Sequence, residues 1–280
     1  RSARCRSLER QYDRFKNWLA DGCDGGLEYL RRNTGKRFDP GALCEGARSV
    51  IVCGVGYHRP PSAHEVASRI ASYAHSRDYH LTIRERLNEL SAYLRELVPG
   101  ASGRVFTDTA PLAEKSWAVE AGLGWIGRNS LLANPRLGSF LLLGEVVTTA
   151  ELESDAPFVR DGCGTCRACV DACPVAAIRP DRTIDAGRCI SRRTIEAGDG
   201  DEGDLHGWLF GCDVCQRACP YNRKAPVSVH DSFAPLAELE RLDIDDWLGL
   251  DEAGFRRIFG ETPLARCGLR RLQERIRRLK

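Results

Sequence analysis

The spacing of the cysteines in the second half of the chain constrains it more than any other feature. Eight of the thirteen cysteines lie between residues 163 and 219, and they include two runs that each end in a Cys-Pro pair. A two-residue spacer lets successive thiolates face one cluster, and the proline stops the last ligand's loop from continuing as helix. The pattern predicts ligands for two 4Fe–4S clusters. Two zinc sites or a disulfide framework would leave the spacing unexplained.

The two runs are expected to share their ligands. In paired runs of this kind the fourth cysteine of each run ligates the other cluster. The second run is one cysteine short of the first, and Cys189 between them fills the vacancy. The predicted ligands are therefore Cys163, Cys166, Cys169 and Cys219 for one cluster, and Cys173, Cys189, Cys212 and Cys215 for the other.

The length of the chain predicts more than a cluster module. A plain two-cluster ferredoxin would account for the cysteines, but it leaves roughly 150 preceding residues without a use. Those residues alternate helical and strand-like segments, which is typical of an α/β layer. We expect an α+β fold with an α/β domain at 1–155, a bacterial-ferredoxin-like module at 156–225 and a short helical, basic extension at 226–280.

Apolar periodicity and turn residues predict the individual elements. The run 49–57 is short, apolar and rich in β-branched residues, which favours a buried strand. The predicted strands are 49–57, 103–107 and 140–148, and the predicted helices are 7–20, 25–32, 83–97, 112–120, 236–242, 245–250 and 252–259. The sequence has no long apolar run and no secretory start, and its many unpaired cysteines favour a reducing compartment. We therefore expect a cytoplasmic protein without membrane contact.

A segment rich in glycine lies between the second and third predicted strands. Glycines at 122, 124 and 127 surround Trp125, and they would let the backbone approach a large planar ligand closely. The segment fails as a dinucleotide-binding fingerprint, because it follows a predicted helix rather than a strand. A loop without a ligand is the alternative interpretation.

Positive charge is concentrated at the end of the chain, although the formal net charge is only +2. Arginine and lysine greatly outnumber glutamate between Gly254 and Lys280. Such a surface is a candidate phosphate-binding face, and a solvated helix is the equally simple alternative.

Several segments in a fixed order resemble the epoxyqueuosine reductase family. They are residues 73–80, 108–115, 122–129, 138–140 with 144–145, and the two cysteine runs. The resemblance extends from about residue 8 to about residue 272. It implies a nitroreductase-like, cobalamin-binding α/β domain. It also implies an enzyme that reduces epoxyqueuosine to queuosine at the wobble position of tRNA, which is the last step of queuosine biosynthesis.

The resemblance also implies roles for individual residues. Asp108 matches the family's proton donor, and a desolvated pocket would raise its pKa; capping of the following helix is the alternative. The signature of histidine-ligated cobalamin is missing after His80, which implies base-off cobalamin and makes His80 a polar contact or helix-start residue. The implied cofactor contacts are Tyr73, Asp108, Trp125, Asn129, Ser130, Ser139, Ser191 and Asp213.

The implied partners are a tRNA that carries epoxyqueuosine and an external low-potential electron donor. For the tRNA phosphates we select Arg270, Arg271 and Arg275 from the basic end of the chain. A reductive dehalogenase, which shares cobalamin and two clusters, is the alternative enzyme; it is typically exported and acts on small organohalides.

Overall fold

The computed structural model describes residues 1–196 and 203–279. Its strands are β1 (Ser2–Arg4), β2 (Ser49–Gly56), β3 (Gly103–Phe106), β4 (Trp125–Ile126), β5 (Leu132–Ala133) and β6 (Leu141–Thr148). Four of them form an antiparallel sheet in the order β1-β2-β6-β3, and β4 and β5 form a separate pair. The three predicted strands are confirmed as β2, β3 and β6. Strand β1 was not predicted, because three residues with one apolar side chain are too few to show a strand pattern.

The helices are α1 (Glu9–Ala20), α2 (Glu28–Arg31), α3 (Tyr79–Leu97), α4 (Glu114–Glu120), α5 (Ala168–Ala172), α6 (Ile190–Ile195), α7 (Val214–Arg217), α8 (Ile244–Gly249), α9 (Glu252–Phe259) and α10 (Leu269–Arg277). The helix predicted at 83–97 begins earlier, because the Asp78 side chain caps α3 by accepting the N–H of His80. The helix predicted at 236–242 is wrong: this segment forms successive turns that bury Leu239.

Helix α3 lies across the sheet at a position where the central strand has no side chain. A Cβ atom on Gly144 of β6 would lie 2.6 Å from Ile83 Cγ2 and 2.8 Å from Leu87 Cδ1. The glycine therefore allows the helix to pack directly on β6. This packing brings the first residues of α3 next to the end of β3.

The C-terminal elements share a core with earlier parts of the chain. Trp247, Phe259 and Leu272 are fully buried together with Ile70 and Phe210. A backbone bond joins the last two regions, since Ala71 N donates to the carbonyl of Phe210 at 2.8 Å. The helical extension predicted at 226–280 therefore packs its apolar faces on the first domain and the cluster module. Within the described ranges, no helix has both the length and the apolar character needed to cross a membrane.

Candidate functional site

The candidate site is centred on Asp108, which lies two residues beyond the end of β3. Its backbone is left-handed (φ 53°), a conformation that costs a residue other than glycine roughly 1–2 kcal/mol. The Asp108 N–H donates to Glu114 Oε1 at 2.5 Å, and this bond supports the strained turn. Asp108 does not cap the following helix, because α4 begins after Ala113 and has no side-chain cap. Its carboxyl group is half exposed and available to a ligand.

The Asp108 carboxylate is paired with His80 at the start of α3. Its Oδ2 lies 3.2 Å from His80 Nε2, and the other ring nitrogen, Nδ1, lies 2.7 Å from Asp78 Oδ1. Burial lowers the pKa of His80, but the two carboxylates outweigh burial and raise the pKa to about 9. The imidazole is therefore protonated at neutral pH and has no free ring nitrogen for a metal. This agrees with the prediction of a polar contact at a helix start.

The raised pKa expected for Asp108 is not what the structure shows. Burial raises the pKa of the Asp108 carboxyl, but hydrogen bonds from His80 and Tyr79 outweigh burial and hold it below its ordinary value. The reason is the protonated His80, a partner that the sequence interpretation did not include. The proton of this pair therefore lies on His80, next to a carboxylate that is half exposed to solvent.

Aromatic and basic residues from distant parts of the chain face Asp108. Burial raises the pKa of Tyr73 and Tyr79, and the Asp108 carboxylate raises it further. Tyr29 of α2 and Arg266 also interact electrostatically with Asp108. Tyr29 and Arg266 were not found by sequence reasoning, because no local pattern connects either of them to the end of β3. Together these residues set the electrostatic surroundings of the carboxylate.

The glycines of the predicted ligand loop serve the protein itself. A Cβ atom on Gly122 would lie 2.4 Å from the carbonyl oxygen of Ala156, and one on Gly124 would lie 2.0 Å from that of Ala133. The interpretation that these two glycines admit a planar ligand is corrected, because protein backbone fills the space beside them. Asn129 is buried nearby. The carbonyl oxygen of Ser130 accepts a hydrogen bond from the ammonium group of Lys115 at 2.7 Å.

Trp125 belongs to the surroundings of the first cysteine run. Its indole N–H donates to Cys163 Sγ at 3.4 Å, and its ring stacks on Phe158 with centroids 5.6 Å apart. A Cβ atom on Gly162 would lie 2.2 Å from the ring, so the cysteine loop needs this glycine to pass over the tryptophan. A contact between Trp125 and a corrin stays a prediction.

Two other predicted cofactor residues join the cluster module to the first domain. Ser139 Oγ donates to Gln216 Oε1 at 3.2 Å and accepts from Asn222 Nδ2 at 3.0 Å. Asp213 is buried and accepts bonds from the N–H and the hydroxyl of Ser72, at 2.8 and 2.7 Å. Ser191 is partly buried in α6. Contacts of these residues with a cofactor stay predictions.

The first group of thiols lies near the protein surface. Burial raises the pKa of Cys169, and the neighbouring Cys163, Cys219 and Cys166 raise it further. Cys166 is exposed. These four cysteines are the set that the sequence assigns to one cluster, and the folded chain brings them together although Cys219 belongs to the second run.

The second group of thiols lies deeper. Burial raises the pKa of Cys215, which lies beside Cys212 and Cys189 and also interacts with Cys169 of the first group. Burial likewise raises the pKa of Cys189, which neighbours Cys173. Within residues 1–196 and 203–279, no group of three or more His, Cys, Asp or Glu side chains is arranged to hold a single metal ion. A cubane is larger than one ion, so its ligands need not converge on one point.

The structure separates the three arginines predicted to bind tRNA. Arg270 is 64% exposed and pairs with Glu274, and Arg271 is partly buried. Arg275 is 2% exposed, and its guanidinium donates to the carbonyls of Thr194 and Leu209 at 2.9 and 2.6 Å. The assignment of Arg275 to tRNA is wrong, because its donors hold the core together. Lys280, the end of the predicted basic segment, lies outside the described residues.

Comparisons with known proteins follow the same division of the chain. Residues 37–109 match a family described as epoxyqueuosine reductase QueG, DUF1730, and residues 162–222 match a 4Fe–4S double cluster binding domain. A curated relative from Cyclobacterium marinum, named epoxyqueuosine reductase, is 40% identical over 275 residues, which cover 96% of this chain and 88% of the relative.

Solved structures show the same similarity. A selenomethionine-labelled epoxyqueuosine reductase aligns with a TM-score of 0.89 at 25% identity, over 98% of this chain and 75% of that one. An epoxyqueuosine reductase crystallised with an epoxyqueuosine-modified tRNA-Tyr stem loop aligns with a TM-score of 0.86 at 26% identity, with the same coverage.

Proposed function

This chain belongs to the epoxyqueuosine reductase family, and from that premise we propose how its residues reduce epoxyqueuosine to queuosine in tRNA. The enzyme is an oxidoreductase with a 4Fe–4S double cluster binding domain. One observation carries the proposal: a half-exposed Asp108 carboxylate is paired with a protonated His80.

Proton delivery is the task of the Asp108–His80 pair. Conversion of the epoxide to an alkene consumes two electrons and two protons, and the oxygen leaves as water. The proton held by His80 Nε2, which is 3.2 Å from Asp108 Oδ2, passes through the Asp108 carboxylate to the epoxide oxygen. Because Asp108 is half exposed, the second proton can reach the pair from water. His80 is held in place by Asp78, so it stays in line with Asp108.

The residues around Asp108 fit a base-off cobalamin that has no protein ligand to cobalt. Both ring nitrogens of His80 are engaged by carboxylates, so this imidazole is not available to the metal. Cobalamin would supply a strongly reducing centre next to the epoxide. Tyr73, Asn129, Ser130 and Ser191 would hold it, in a first domain that we propose is nitroreductase-like.

Electrons would enter through the two thiol groups. We assign Cys163, Cys166, Cys169 and Cys219 to the outer cluster and Cys173, Cys189, Cys212 and Cys215 to the inner one. The exposed Cys166 makes the outer cluster the entry point for a low-potential donor, and the inner cluster lies closer to the buried Asp213 and Ser72. We propose that the protein acts in the cytoplasm, where tRNA is modified.

The direct test is turnover by the loaded protein. The chain is reconstituted anaerobically with iron, sulfide and cobalamin, and is then given a strong chemical reductant and a tRNA stem loop that contains epoxyqueuosine. We expect queuosine to accumulate, as measured by mass spectrometry of the digested nucleosides. A halogenated phenol under the same conditions should stay unchanged. If both clusters and cobalamin are fully loaded and no queuosine forms, the proposal is refuted.

Binding of tRNA should depend on the exposed Arg270 and the partly buried Arg271 of α10, and not on Arg275. Replacing Arg270 and Arg271 with alanine should weaken binding of the anticodon stem loop. It should also reduce the slope of log affinity against log salt by somewhat under one unit for each lost phosphate contact. Arg86→Ala is the matched control, since Arg86 is also 64% exposed and ion-paired on its helix, α3. If the double variant binds the stem loop as tightly as wild type at both low and physiological salt, α10 does not contact tRNA and is only a solvated helix.

A further inference from the structure

Two acidic side chains lie behind Asp108, the fully buried Glu145 and the partly buried Glu114, and the proton-delivery scheme does not use them. Glu145, in the middle of β6, is 0% exposed. Within the described part of the chain, neither of its carboxyl oxygens accepts a bond from an N–H or O–H donor. The acidic group that acts on it most strongly is the carboxyl of Glu114. A fully buried carboxyl without a donor keeps its proton, because its ionised form would be buried without a partner.

The surroundings favour retention of this proton. Burial raises the pKa of both Glu145 and Glu114. The Glu114 carboxyl raises the pKa of Glu145 further and Asp108 raises both, whereas Glu145 lowers the pKa of Glu114. Cys53 on β2 adds to the effect at Glu145. Lys115 is the cation nearby and acts in the opposite direction on Glu114, but its ammonium group is bonded to a backbone carbonyl. A carboxylate pair without a proton would therefore be strongly repulsive here.

Glu114 connects the pair to the active site. Its Oε1 accepts the N–H of Asp108 at 2.5 Å, at the residue whose backbone is left-handed. Few other bonds support this turn; the neighbouring Thr109 N–H donates to the carbonyl of Thr107 at 2.6 Å. The backbone position of Asp108 therefore depends on where the Glu114 carboxyl stays, while His80 bonds its side chain.

We propose that Glu114 and Glu145 are positioning residues that form a latch: while one of them keeps its proton they hold the turn at Asp108 in its productive place, and when both are ionised Glu114 is repelled and the turn is released. This rests on the proposed role of Asp108. The latch is closed at neutral and lower pH and opens as the pH rises, since an acid with a raised pKa keeps its proton to a higher pH.

The test measures hydrogen exchange of the Asp108 turn in the protein loaded with both clusters and cobalamin, corrected for the intrinsic pH dependence of exchange. In Glu114→Ala, protection of the Asp108 amide should fall by roughly tenfold, as expected for loss of a hydrogen bond to a charged acceptor. In wild type, protection should decrease as the pH rises. In Glu145→Gln, an uncharged amide replaces the protonated carboxyl, so protection should persist to higher pH. Glu120→Gln, a partly buried glutamate of the same helix, is the control and should behave as wild type.

Two outcomes would overturn the latch: unchanged protection in Glu114→Ala, or the wild-type pH course in Glu145→Gln, which is nearly isosteric and decides the matter if the alanine variant does not fold. Turnover is a separate readout. Misplacement of the carboxylate should lower kcat of Glu114→Ala by roughly 10²-fold with little change in KM. Loss of protection with full kcat would leave the latch standing and would instead contradict the role of Asp108.

Discussion

Asp108→Asn should lose turnover by about 10²–10⁴-fold, the range that general acid catalysis usually contributes, while it retains cobalamin and both clusters. An amide can still accept a hydrogen bond from His80 through its oxygen, so the local geometry should survive. It has no acidic proton to pass to the epoxide oxygen, however. Single-turnover conversion of an epoxyqueuosine stem loop, with iron and cobalt counted per chain, measures the effect.

The pH dependence provides a second check of the same role. The pKa of His80 is raised from 6.5 to about 9, so the protonated pair is fully present below the ordinary value and is lost as the pH rises through the raised value. Wild-type turnover should therefore decline above about pH 9. The residual turnover of Asp108→Asn should not decline at the same pH. Asp13→Asn, which changes an exposed aspartate of α1, should leave rate and pH profile unchanged. A near wild-type rate in Asp108→Asn would show that Asp108 does not donate the proton.

Cys189→Ala should abolish turnover and eliminate one cluster while the other remains. Two cubanes contain about eight iron atoms per chain, so the variant should retain about four. The selectivity follows from the grouping of the thiols, because Cys189 neighbours Cys173, Cys212 and Cys215 and not the outer set. Iron and sulfide analysis, together with the paramagnetic spectrum of the reduced protein, measures the result.

The control for this experiment is a cysteine outside both groups. Cys5, which follows β1, should tolerate replacement by alanine with iron still at about eight per chain. Loss of both clusters in Cys189→Ala would mean that the two sites fold as one unit. Wild-type protein with only about four iron atoms after complete reconstitution would contradict the assignment of two clusters.

Local patterns determined a large part of this protein. Cysteine spacing predicted two groups of thiols, including Cys189 from outside the runs, and the folded chain brings the same thiols together. The buried strands β2 and β6 were also predictable, because a strand buried on both faces is continuously apolar. Asp108 was found through a resemblance of short segments. Each of these signals lies within a few residues of the chain, where sequence and geometry are directly coupled.

The tertiary structure decided the electrostatics and the burial. Asp108 has a lowered pKa because α3 packs on Gly144 and brings a protonated His80 to it. Arg275 and Arg270 are the same residue type on the same helix, yet one holds carbonyls in the core and the other reaches solvent. Glu145 reads in sequence as an ordinary acidic residue in a strand, and only the packed sheet makes it a buried partner of Glu114. Charge state, desolvation and exposure depend on groups that are distant in the chain, and for that reason spacing alone could not supply them.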